Sequence, residues 1–172
     1  MKPEELAALA VRLGADVPFF LQGGTARVQG IGEVIRAVEG VPVMELVIVK
    51  PEAGLSTPAV FKAWHEKGEY LKSRIDAFLW YLIKGDQYNA AAVMYNDLEE
   101  PAMTLEPEVT RALEAQQPTG ALVAMMTGSG TATLGWYRDA ETAEKAQQTL
   151  SNSGWQAWHV QSVPHAMEIT KL

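Results

Sequence analysis

The sequence has no cysteine in its 172 residues, which excludes disulfide scaffolds, Cys-based zinc sites and thiol catalysis and makes a reducing cytosol the expected compartment. It has no run of Lys and Arg either. With a formal net charge of -7 it lacks the clustered cations through which proteins hold nucleic acid, so no nucleic-acid partner is expected. No stretch approaches a membrane span, and the opening segment carries Glu4 and Glu5 where a leader would have an apolar core, so no membrane is expected. Neither a Walker pattern nor a full G-x-G-x-x-G occurs, and there is no internal repeat or low-complexity tract.

What is present has the balance of a folded chain, with 48% hydrophobic and 20% charged residues. The length suits one ordinary domain, or one domain and a piece of another. Leu6, Leu9, Ala10 and Leu13 share a helical face that ends at Gly14. Lys2 stands where an N-cap Ser, Thr or Asp would be, so this helix reads as one that has lost its start. Gly23-Gly24 marks a turn, and Thr25 to Val28 and Val34 to Val38 read as short strands. Glu45 to Lys50, stopped by Pro51, is the clearest strand and opens a second structural unit.

Beyond Thr57 the pattern is largely helical, with segments at 59–67, 73–84, 86–94, 107–115 and 141–150. A Ser73…Asp76 pair is the expected cap of the second of these. Strands at 45–50, 121–126, 131–137 and 155–163 give those helices a sheet to cover. The expected result is α+β, an α/β sandwich of ferredoxin-like kind.

Few residues suggest chemistry by themselves. His65, His159 and His165 have no metal-ligand spacing, and the tryptophans fall at helix or strand positions suited to packing. Gly30-Ile31-Gly32 and Gly128-Ser129-Gly130 are only fragments of phosphate-loop patterns and by themselves read as plain turns before ligand cradles. Asp16 is held between a helix end and the apolar run Val17-Pro18-Phe19-Phe20. Two roles are open to it: a turn or cap, or a carboxylate that orients a substrate hydroxyl.

Leu13-Gly14-Ala15-Asp16-Val17-Pro18-Phe19-Phe20-Leu21-Gln22-Gly23-Gly24-Thr25-Ala26, followed by Gly30-Ile31-Gly32-Glu33, resembles the 4-diphosphocytidyl-2-C-methyl-D-erythritol kinase family of the GHMP superfamily. The resemblance continues through Lys50-Pro51, Ser56-Thr57 to Phe61, Asn96-Asp97-Leu98-Glu99 and Met126-Thr127-Gly128-Ser129-Gly130. Thr127 stands where the family usually has Ser and keeps the hydroxyl.

The resemblance implies an enzyme that transfers the γ-phosphoryl of ATP, with Mg, to a hydroxyl of a cytidine-diphosphate-linked methylerythritol in the non-mevalonate route to isoprenoids. It makes Asp16 the catalytic acid beside that hydroxyl and places Thr57 and Phe61 at the substrate. It makes Gly128, Ser129 and Gly130 the phosphate-side loop and points to no metal ligand. One carboxylate suffices for such a step, because phosphoryl transfer depends mainly on positioning and charge stabilisation. The implied architecture is a remnant of the GHMP kinase N-terminal domain over residues 1–43, then the C-terminal domain over 44–172.

The superfamily's N-terminal Lys block and its Gly-Gly-Gly-Ser-Ser loop are absent from these residues. The expectation is therefore a truncated chain, inactive alone and a poor ATP binder. Leu6, Leu9, Leu13, Phe19 and Phe20 are expected to be exposed and to promote self-association. Two other readings stay open: another GHMP-type kinase, for homoserine or the mevalonate pathway, and a stand-alone ferredoxin-like module for ligand binding or oligomerisation.

Overall fold

A computed structural model describes residues 3–30, 32–67 and 73–164; Lys2, Ile31 and His165, named above, lie outside them. The chain divides into two compact units, Met1–Val43 with Ser162–Leu172, and Met44–Gln161. The second unit thus begins beside the strand expected to open it, while the segment from Ser162 groups with the first.

The first unit holds helix α1 (Pro3–Leu13), the short helix α2 (Val17–Gln22) and an antiparallel hairpin of β1 (Ala26–Gln29) and β2 (Val34–Ala37). The run after Asp16, read as merely apolar, forms a helix because Pro18 sits in its first turn, where a missing N–H costs nothing. Gly23 and Gly24 both take positive φ. Gly24 has a second reason to be glycine: a Cβ there would lie 2.6 Å from the Pro164 carbonyl oxygen. Ala10 and Pro18 are buried, whereas Leu6, Leu9, Leu13 and Phe20 are exposed. Phe19 departs from the expectation. It is half-buried, and its ring meets that of Phe20 edge-on at 5.5 Å.

The second unit is built on β3 (Glu45–Lys50), β4 (Val123–Met126), β5 (Thr133–Tyr137) and β6 (Gln156–Gln161). Their order across the sheet is β4-β5-β3-β6, and every neighbouring pair is antiparallel. Between β3 and β4 run α3 (Thr57–Lys67), α4 (Ile75–Ile83), α5 (Gln87–Val93), α6 (Glu99–Leu105) and α7 (Pro107–Gln116), and α8 (Ala140–Asn152) joins β5 to β6. This is the expected ferredoxin-like arrangement.

Pairing fixes the faces of the sheet. Val47 lies opposite Gly135 and His159, and Val49 opposite Thr133 and Ala157, so these side chains share one face. That face packs on Ala112 of α7 and Ala143, Ala146 and Leu150 of α8. The helical alanines bring α8 close to the strands, and full burial of Val47, Val49 and Leu150 contributes about 1.5–3 kcal/mol each. A second cluster, Val60, Ala102, Val109, Leu113 and Met126, binds α3, α6 and α7 to the β4 edge.

Local sequence explains the helix ends. Asp86 and Asp139 cap α5 and α8 by accepting from the backbone N–H of Asn89 and Thr142, and the side-chain bonds from the Asn89 amide and the Thr142 hydroxyl, joined by these backbone bonds, hold both carboxyls below the usual range. Helix α4 starts at Ile75, two residues beyond the expected start. The Ser73 hydroxyl is 3.4 Å from the Ile75 N–H, too far for a strong cap.

Candidate functional site

In the first unit, Asp16 occupies the N-cap position of α2 with helical backbone angles (φ -86°, ψ -16°), and its side chain makes no capping hydrogen bond. The carboxylate is exposed. A capping role is therefore not what holds it there. Its backbone is set instead by its neighbours, since the Val17 N–H donates to Gly14 O and the Phe19 N–H to Asp16 O. Gly32 is buried at φ +119°, and a Cβ on it would lie 2.1 Å from the Ala15 carbonyl oxygen. Gly32, by lacking a side chain, thus lets its backbone lie directly against the residue that precedes Asp16.

In the second unit, the Gly128-Ser129-Gly130 loop joins β4 to β5. Gly128 and Gly130 take φ of +59° and +93°, which L side chains rarely adopt. At Gly130 a Cβ would also meet Met126 Sδ at 2.8 Å, whereas beside Gly128 the space is open. The loop closes on itself: the Thr127 N–H donates to Ala132 O and the Gly130 N–H to Thr127 O. The backbone N–H groups of Gly128 and Ser129 find no acceptor among the described residues.

Thr57 and Ser129 come together. Their hydroxyl oxygens are 2.7 Å apart across 72 positions of sequence, which puts the loop at the N-terminus of α3. That end of an 11-residue helix carries partial positive charge and unsatisfied N–H groups. Phe61, one turn on, is 42% exposed and stands outside the core. Trp64 meets it edge-to-face at 6.2 Å and 85°.

Lys50 belongs to this cluster although sequence reasoning gave it no role. Its ammonium donates to Pro51 O, Ala53 O and Thr131 Oγ1 at 2.6, 3.1 and 2.9 Å, and the Thr131 hydroxyl donates to Ala53 O at 2.7 Å. All three ammonium donors are used on uncharged acceptors. The result is a part-buried cation, with no carboxylate partner among the described residues, anchoring the residue that follows the glycine loop. The only hint in the sequence was a Lys at the end of a strand, just before Pro51.

Among the described residues no three His, Asp or Glu side chains converge as metal ligands, and no helix is long and apolar enough to cross a membrane. His159 is paired with Glu45 at 2.7 Å across β3 and β6, a partner already satisfied within the sheet.

The family model described as GHMP kinases C terminal matches residues 78–156. A curated relative from Desulfitobacterium hafniense, named 4-diphosphocytidyl-2-C-methyl-D-erythritol kinase, is 35% identical over 168 residues, 96% of this chain and 56% of the relative. One of the same name from Geobacter metallireducens is 38% identical over 160 residues, 93% of this chain and 54% of the relative. A crystal structure of 4-(cytidine 5'-diphospho)-2C-methyl-D-erythritol kinase superposes with a TM-score of 0.78 at 31% identity, covering 91% of this chain and 56% of that one. Homoserine kinase from Cytophaga hutchinsonii gives 0.72 at 18% identity, covering 96% and 60%, a likeness of fold alone. The chain spans about half the length of the curated relatives it matches.

Proposed function

Because the chain belongs to the GHMP kinase superfamily, on its 4-diphosphocytidyl-2-C-methyl-D-erythritol kinase branch, we propose that it is the substrate-side portion of an ATP-dependent kinase that phosphorylates a cytidine-diphosphate-linked methylerythritol in isoprenoid synthesis. The observation that carries this reading is the Thr57–Ser129 contact. It joins a residue of the substrate block to one of the phosphate-side loop within a single unit.

Each group then has a task. The free N–H groups of Gly128 and Ser129, the open space beside Gly128 and the α3 N-terminus suit phosphate oxygens, while Lys50, its three donors already used, adds only positive charge beside the loop. Thr57 offers a hydroxyl to the substrate, and the exposed face of Phe61 stacks on the cytosine ring. Asp16, with its carboxylate free of any cap bond, accepts from or orients the acceptor hydroxyl. ATP brings the phosphoryl group, and Mg accompanies it without a ligand assigned among the described residues. The enzyme works in the cytoplasm.

A substrate panel tests the reading. An enzyme of the relatives' full length that contains this chain should phosphorylate the cytidyl substrate in preference to homoserine and mevalonate. A preference for either of the latter would move it to another branch. The 172 residues alone should show neither turnover nor micromolar ATP affinity. They should self-associate through Leu6, Leu9, Leu13 and Phe20, all exposed on the first unit. Light scattering that shows a monodisperse monomer would remove the self-association.

A further inference from the structure

The Asn96-Asp97-Leu98-Glu99 block has no part in the function assigned above, yet its first residue is bound both to the last residue of β4 and to the glycine loop that follows. Asn96 lies between α5 and α6, outside both helices. Its side-chain amide donates to Met126 O at 2.9 Å and to Gly128 O at 2.8 Å, while its carbonyl oxygen accepts from the Leu98 N–H at 2.9 Å. An Asn amide has two N–H donors, and both are spent on carbonyls that flank one turn of the loop. Three residues on, Glu99 Oε2 accepts from the Met126 N–H at 2.7 Å. Both polar groups of the Met126 backbone are thus bonded to side chains of this block.

We propose that Asn96 is the positioning residue of the phosphate-side loop. By drawing the carbonyls of Met126 and Gly128 toward itself, it sets the peptide planes that follow them. The peptide plane whose carbonyl belongs to Gly128 carries the N–H of Ser129, one of the two left without a protein acceptor. Fixing the carbonyl on one side of that plane turns the N–H to the other, away from Asn96. The oxygen of Asn96 is held in turn by the Leu98 N–H at the start of α6, whose Ala102 packs in the core cluster with Val60 and Met126. The loop is therefore oriented from the core, as preorganised donors require. This role rests on reading the loop as the phosphate-side element.

Asn96→Asp provides the test. It keeps the shape and the acceptor for Leu98 N–H, removes both donors, and sets a negative charge against two carbonyl oxygens. In amide NMR spectra of the 172-residue chain, the signals of Gly128, Ser129 and Gly130 should shift and that of Gly130, whose N–H is bonded to Thr127 O, should exchange at least about tenfold faster, while those of β3 and β5 hold. Unmoved loop signals would overturn the proposal, as would uniform loosening of loop and strands alike. A measurement on the unmutated chain covers the case in which the variant does not fold. Both Asn96 side-chain N–H protons should be protected from exchange, and exchange at the solvent rate would overturn the proposal. Titration with inorganic tripolyphosphate separates this role from the function it rests on. If the unmutated loop shows no shift even at millimolar tripolyphosphate, beyond the micromolar range in which the chain alone is expected not to bind ATP, while Asn96→Asp still frees the loop, the phosphate assignment fails and the positioning role stands.

Discussion

Gly32 lies so close to Ala15 that a Cβ on it would stand 2.1 Å from the Ala15 carbonyl oxygen. The contact is to backbone, which cannot swing aside, and the φ of +119° already disfavours any side chain. Gly32→Ala should therefore push residues 15 and 16 away or distort the hairpin, at a cost of about 1–3 kcal/mol. Urea unfolding followed by amide signals from the first unit measures it. A neutral result would mean that the hairpin yields freely and that Asp16 is not held from this side.

Asp16→Asn should leave folding alone and damage catalysis. The side chain is exposed and makes no cap bond, so stability should change by no more than about 0.5 kcal/mol. In the full-length enzyme kcat should fall by about 10²–10⁴, the range for loss of a positioned base. Early melting with normal kcat would restore a structural role.

Phe61→Ala should raise KM for the cytidyl substrate and spare that for ATP. Loss of one base stack is worth about 1–3 kcal/mol. Because Phe61 is 42% exposed and outside the core clusters, the melting temperature should change little. Equal effects on both substrates would argue against stacking.

Tyr137 gives an alkaline signature. Burial raises its phenol above the ordinary value of 10.0, and the bond to the Thr119 hydroxyl offsets part of that rise. In the unfolded chain the phenol ionises near pH 10 while the folded one keeps its proton. The stability it contributes is complete below that pH and is lost as pH rises toward the folded pKa. Urea midpoints measured from about pH 8 to pH 11 should fall less steeply for Tyr137→Phe than for the unmutated chain. Parallel slopes would show that Tyr137 has no part in the alkaline loss.

The sheet could be read from the sequence because Leu46 to Val49 is an apolar, β-branched run stopped by Pro51, the other strands are short apolar segments that follow glycines, and the helices that cover it have clear apolar faces. Helix α6 escaped notice. Its opening Glu99-Glu100-Pro101 resembles a loop, yet Pro is tolerated in a first helical turn. The residues of the proposed site, Asp16 in the first unit and Thr57, Phe61 and the glycine loop in the second, were named from the resemblance alone. Their wiring was not legible. The contacts of Lys50 with Thr131, Asn96 with Met126 and Gly128, and Thr57 with Ser129 span 30 to 81 positions and leave no local pattern.

The strand order β4-β5-β3-β6 also governs when the protein can fold during synthesis. β3 is the first strand of its sheet to be made, and one of its two partners is the last: Glu45 meets His159 across 114 positions. At ribosomal speeds of roughly 5–20 residues per second, β3 waits on the order of 6–20 s for its final neighbour. Throughout that interval one edge of a Val- and Ile-rich strand is open to other chains. Crowded polysomes and scarce chaperones should therefore lower the yield of soluble chain well before any change to the finished fold does.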